Sequence, residues 1–178
     1  KVAQSYFQLY GDQSDALARI AAKNHRDGSR NPFAHVQKDL GYDFCRHASE
    51  KNPIIAAPLK RTDCSMITDG AAALVLASDD VASVARRSVR IRASNLVGDR
   101  LPLVDRDVLA FDGPRVAWQR TLHDAGLALT DLDFVETHDC FTIAELLEYE
   151  AMGLTSPGEG ARAIAEGWTE PAGKLPIN

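Results

Sequence analysis

The stretch Leu132-Asp133-Phe134-Val135-Glu136-Thr137-His138-Asp139-Cys140-Phe141-Thr142-Ile143-Ala144-Glu145-Leu146-Leu147 passes from an apolar, strand-like run through a polar turn into a helical run. A strand end that delivers an imidazole and a thiol into one turn is where an α/β protein tends to hold chemistry, because ligands of open α/β sheets bind at the carboxyl ends of strands. His and Cys are also the side chains best suited to proton transfer and nucleophilic work near neutral pH. Working outward, strands alternating with helices are expected on both sides of this turn, so the fold class expected is α/β with a parallel or mixed sheet.

Upstream, Ser14 to Asp27 reads as an amphipathic helix, with Leu17, Ile20 and Ala21 on one stripe. Ser14 or Asp12 can cap its start, and Gly28 and Pro32 stop it. The stretch 31–58 has no sustained period and holds Pro32, Pro53 and Pro58, which predicts loops with short helical pieces. Gly70 to Ala77 reads as a strand buried on both faces, a short helix follows from Ser78 to Arg86, and Val89 to Val97 reads as a second strand. A polar break from Gly98 to Asp107 separates two structural halves. Pro114 to Ala125 then forms a helix ended by Gly126, followed by the strand Leu132 to Glu136 and a helix to about Met152 ended by Gly153.

Composition narrows the function. The chain has 178 residues, is 45% hydrophobic and 25% charged, and carries a net charge of −5. That excludes intrinsic disorder and argues against a nucleic-acid partner, whose binders are usually basic. No apolar run approaches the roughly 20 residues that span a membrane. Cys45, Cys64 and Cys140 are an odd count without framework spacing, which suits free thiols in a reducing compartment. No Cys-x-x-Cys or His-x-x-x-His pair is present, so no metal site is expected. The start at Lys1 is neither a signal peptide nor an initiator Met, and the strands are few for a sheet of about five or six. Both features are read as those of a piece of a longer protein.

Three blocks then stand out in order: Ala18-Arg19-Ile20-Ala21-Ala22-Lys23-Asn24-His25 with Asn31-Pro32; Asp69-Gly70-Ala71-Ala72-Ala73; and Val135-Glu136-Thr137-His138-Asp139-Cys140-Phe141. Together they resemble the middle of a thiolase-superfamily enzyme, and the His-Asp-Cys-Phe form is similar to the sterol-carrier-protein-x (SCP2) type. The resemblance implies a five-layered αβαβα fold, only partly covered by this chain. It implies that 1–63 is part of the loop domain, 64–101 the end of the N-terminal half, and 102–178 the start of the C-terminal half. The family's nucleophilic cysteine and Gly-His-Pro loop are expected outside 1–178.

The same resemblance implies site roles. His138 would donate to the enolate oxygen of an acyl-CoA, and Cys140 would act as the second catalytic thiol. Ser65, four residues before Asp69, matches a serine that contacts the pantetheine arm of CoA, though a turn serine serves the position equally well. Asp139 can equally cap the following helix, and His25 reads as a satisfied helix histidine near a C-terminus. Arg86, Arg87, Arg90 and Arg92 could meet CoA phosphates, but a solvated face is the simpler reading. The implied activity is CoA-dependent thiolysis of 3-ketoacyl-CoA or the reverse Claisen condensation. CoA is substrate, no cofactor is needed, and a cytoplasmic homodimer or homotetramer is expected. A retro-aldolase on side-chain CoA thioesters and a non-catalytic CoA-ester-binding subunit are the alternatives.

Overall fold

Helices dominate the computed structural model, which describes residues 1–99, 101 and 106–178. In order they are α1 (Val2–Tyr10), α2 (Ser14–Gly28), α3 (Tyr42–Arg46), α4 (Asp79–Ala82), α5 (Asp112–Ala125), α6 (Thr142–Ala151) and α7 (Gly160–Ala165). Single 3-10 turns occur at Arg61–Asp63 and Leu129–Asp131. Among the described residues, sheet structure is confined to the antiparallel pair β1 (Ile54–Ala56) and β2 (Leu59–Lys60) and two isolated bridges.

The core is built where helical periodicity is clearest. Leu17 and Ile20 of α2, Ile143, Leu146 and Leu147 of α6, and Ile164 of α7 pack with Tyr6 of α1 and with Val135 and Ile177. A smaller cluster joins Ala18 and Ala21 of α2 to Cys45 of α3. Neither Ser14 nor Asp12 caps α2 as expected: its N-cap is Gln13, which makes no side-chain cap bond, and the Asp12 carboxylate accepts the Ser14 backbone N–H at 2.9 Å just ahead of the helix. At the end of α5, Gly126 adopts φ 65°, a conformation glycine reaches without a Cβ penalty, and its N–H closes the helix on His123.

The expected strands are where the structure departs from the sequence reading. Residues 70–77 and 89–97 are not paired into a sheet, and the helix expected from Ser78 to Arg86 is only the four residues of α4. Leu74, Val75 and Val89 are more than nine-tenths exposed. The reason is physical: a strand is completed by hydrogen bonds to neighbours, and no described residue supplies a partner for these two. The Leu132 to Glu136 strand shrinks to one parallel bridge, Val135 to Ile177, in which Val135 N–H donates to Pro176 C=O at 2.9 Å. The junction expected at 101/102 abuts residues 100 and 102–105, which lie outside the described residues.

Candidate functional site

The turn Thr137–Phe141 sits between that bridge and the start of α6, and contacts from three distant segments hold it. Cys64 and Phe141 form an antiparallel bridge, and Ser65 N–H donates to Cys140 C=O at 3.0 Å. The segment carrying Ser65 is itself fixed by Asp63. This fully buried carboxylate accepts from Lys60 Nζ at 2.9 Å and from Thr142 Oγ1, the first residue of α6, at 3.0 Å. On the other flank, Thr137 N–H donates to Asn178 Oδ1 at 2.8 Å. Ser65 and Cys140, far apart in the sequence, therefore become backbone neighbours.

Behind the turn lies a buried polar network. Lys23 and Glu145 are essentially inaccessible, with side-chain exposures of 1% and 0%, and pair at 2.6 Å. Lys23 also donates to Ile177 C=O, and Tyr149 O–H donates to the same Glu145 oxygen. Asn24 Nδ2 donates to Glu145 Oε2 at 2.6 Å and to Asp139 Oδ2 at 2.6 Å. Burial, and then the charge of Glu145, push the Asp139 carboxyl above the usual carboxylate range, and the Asn24 hydrogen bond partly opposes them. Asp139 is thus not a helix cap: α6 starts after Phe141 with no side-chain cap bond.

A cavity of about 300 Å³ opens between α2, residues 34–36, residues 62–66 and the turn. Its lining includes Asn24, His25, Ser65, Met66 and Asp139. Asn24 Oδ1 is buried without a hydrogen-bond partner. His138 and Cys140 are not in that lining; His138 is exposed and Cys140 half-buried. A larger recess of about 440 Å³ lies over Phe134 and Pro176 and includes none of Ser65, His138 or Cys140; of these two recesses only the smaller is lined by one of the three, Ser65. His25 titrates below the ordinary imidazole value because it is half-buried, with the Asp39 charge opposing. Glu148 is raised by burial; a Trp118 hydrogen bond and the nearby His138 charge pull it back, which makes it the acidic neighbour of that imidazole.

The other thiols behave as packing. Burial pushes Cys45 up to about 11 and also raises Cys64. Arg86, Arg87, Arg90 and Arg92 are exposed; Arg90 pairs loosely with Asp79 at 3.6 Å and Arg92 reaches Ala125 C=O. Among the described residues no group of three His, Cys, Asp or Glu is placed to hold a metal, and no helix is long and apolar enough to cross a membrane.

Lys23, Asn24, Glu145 and Asn178 were missed as site-supporting residues. Their signal was present: Asn24 continues the Leu17, Ile20, Ala21 stripe, and Glu145 interrupts an apolar run. A polar residue at an inward position has to find a partner.

Known proteins resemble this chain in sequence and in fold. Residues 99–178 match the family described as thiolase C-terminal domain-like. Over 99% of its length the chain is 33% identical to an acetyl-CoA acetyltransferase of Methanothermobacter thermautotrophicus, of which it covers 46%. It is 31% identical to sterol carrier protein 2 of Oryctolagus cuniculus, covering 98% of this chain and 32% of that protein. It is 29% identical to the benzoylsuccinyl-CoA thiolase subunit BbsB of Thauera aromatica, covering 99% and 45%. The chain thus spans between about a third and a half of these relatives. The fold is that of the Ltp2-ChsH2(DUF35) aldolase, with a TM-score of 0.89 at 23% identity over 99% of this chain and 47% of that one.

Proposed function

We propose, from the premise that this chain belongs to the thiolase superfamily, that it supplies part of an SCP2-type acyl-CoA thiolase site. The observation that carries the reading is the 3.0 Å bond from Ser65 N–H to Cys140 C=O, which sets a residue with a pantetheine-binding match beside the second thiol.

In this mechanism a cysteine thiolate of the full-length protein attacks the 3-keto carbon, and the Cα–Cβ bond breaks as the tetrahedral adduct collapses to an acyl-enzyme thioester. The electron pair moves onto the thioester oxygen as an enolate, which His138 stabilises as a hydrogen-bond donor. The Cys140 thiol gives its proton to the α-carbon, releasing acetyl-CoA and leaving a thiolate. That thiolate takes the proton of incoming CoA, whose sulfur then attacks the acyl-enzyme thioester and releases the shortened acyl-CoA. CoA is thus substrate rather than cofactor. A cytoplasmic homodimer or homotetramer belongs to the same reading.

Retro-aldol cleavage on the same fold is the second reading, and assays on the full-length protein separate the two. Acetoacetyl-CoA thiolysis should fall about 100-fold or more in Cys140→Ala and in His138→Ala. Undiminished thiolysis in both would sink the assignment. A wild-type protein that cleaves 3-hydroxyacyl-CoA without consuming CoA would transfer it to the aldolase reading.

A further inference from the structure

We propose that Asp139 is a positioning residue, which holds His138 and Cys140 in register by anchoring the turn between them to Asn24 of α2. This inference rests on the thiolase reading for its catalytic consequence, but not for its geometry.

Consecutive side chains in a turn diverge, and their mutual angle is set by the φ and ψ of the residue between them. Asp139 is that residue. Its carboxylate is bound not to its own helix but to Asn24, 115 residues away, at 2.6 Å. A primary amide has two N–H donors. Here one serves Asp139 and the other Glu145, so the amide is spanned between the turn and α6. Glu145 is in turn fixed by Lys23 and Tyr149, which leaves Asn24 little freedom to rotate. Thr137 and the Cys140 carbonyl are held separately, through Asn178 and Ser65. Among the described residues, the Asp139 carboxylate therefore makes the side-chain contact that sits between the two chemical side chains.

The arrangement also places two carboxylates on one amide, with a single buried lysine to compensate them. Helix stability alone does not ask for this, since a serine at the N-cap would satisfy α6 without a second, half-buried carboxylate. A positional role explains why an acidic residue stays there.

The experiment uses the full-length protein and follows iodoacetamide labelling of individual cysteines by peptide mass spectrometry, alongside acetoacetyl-CoA thiolysis. Losing a charge-assisted hydrogen bond should raise the open fraction of the turn, so Cys140 in Asp139→Ala and in Asn24→Ala should label about tenfold faster. Cys45, fully buried between α3 and α2, should label at the wild-type rate, because only the turn loosens. Asp139→Asn keeps an acceptor for Asn24 and should recover most of the wild-type labelling rate. In the same variants kcat should fall while KM for the acyl-CoA stays within about twofold.

Cys140 labelling unchanged in both alanine variants would overturn the proposal. So would equal acceleration of Cys45, or failure of both variants to fold, since the pair would then hold the whole chain rather than the turn. If Cys140 responds but the wild-type protein performs no thiolysis, the positioning role stands and the thiolase reading falls.

Discussion

Replacing Lys23 with Met puts the buried network to its most severe test. Lys23 and Glu145 are 1% and 0% exposed and meet at 2.6 Å. Removing one partner of such a pair costs about 3–5 kcal/mol, because the other charge stays buried and uncompensated. Glu145 keeps Tyr149 and Asn24 as neutral donors, which places the expected loss near the lower end, about 3 kcal/mol. Glu145→Gln should cost a similar amount: its amide oxygen can still accept from Lys23, but the buried ammonium loses its counter-charge. The double variant Lys23→Met/Glu145→Gln leaves no buried charge at the pair, and should lose only about 1–2 kcal/mol. The readable signature is therefore a double variant more stable than either single one, measured by thermal or urea unfolding of the full-length protein as a double-mutant cycle. Additive losses in the cycle would refute the idea that this pair is coupled and dry.

Three further outcomes follow from the burial and packing of single residues. Asp139 is raised by burial and by Glu145, so its stabilising protonated form is lost as pH rises above the folded value; the Tm of Asp139→Asn relative to wild type should rise between pH 4 and pH 7, and a flat difference would contradict the desolvation. His25 is lowered by burial, so its contribution is present above about pH 6.5 and lost as pH falls below that; His25→Gln should reduce the loss of Tm between pH 7.5 and pH 5, and an unaltered pH profile would count against it. Gly160 lets α7 approach α6, and a Cβ there would meet Leu146 C=O at 2.8 Å. Gly160→Ala should therefore destabilise by about 1–3 kcal/mol in thermal melts, and a neutral result would show that α7 shifts freely.

What could be read from the sequence divides along a physical line. α2, α5 and α6 satisfy their backbone hydrogen bonds within themselves, and a one-sided apolar stripe is enough to place them; all three formed close to their expected bounds. Residues 70–77 and 89–97 have strand-like sequences, yet pairing decides a strand, and no described residue pairs with them. β1 and β2 are too short for any alternation to register; β1 arose within the stretch 31–58 read as loops, and β2 follows directly after it. The turn was legible because its residue types are chemically distinctive. Its supports were less so: Lys23 and Glu145 are 122 residues apart, and Asn24 and Asp139 are 115 apart. A polar residue at an inward helix position announces that it needs a partner, but not which one.

Asp139 shows why local reading stops short at this site. An acidic residue just ahead of a helix is expected to cap it, because the free N–H groups of the first turn are the nearest donors. That expectation assumes that proximity in sequence wins. Here α2 brings an amide donor to 2.6 Å and a buried ammonium close behind it, and the carboxylate turns to them instead. The first turn of α6 does without a side-chain cap; the Ala144 N–H bonds the Phe141 carbonyl at 2.8 Å, and Thr142 directs its hydroxyl to Asp63. The turn therefore depends on the packing of α2 against α6 rather than on its own sequence. A substitution that shifts α2, even one far from His138 and Cys140, should reach the chemistry through Asn24.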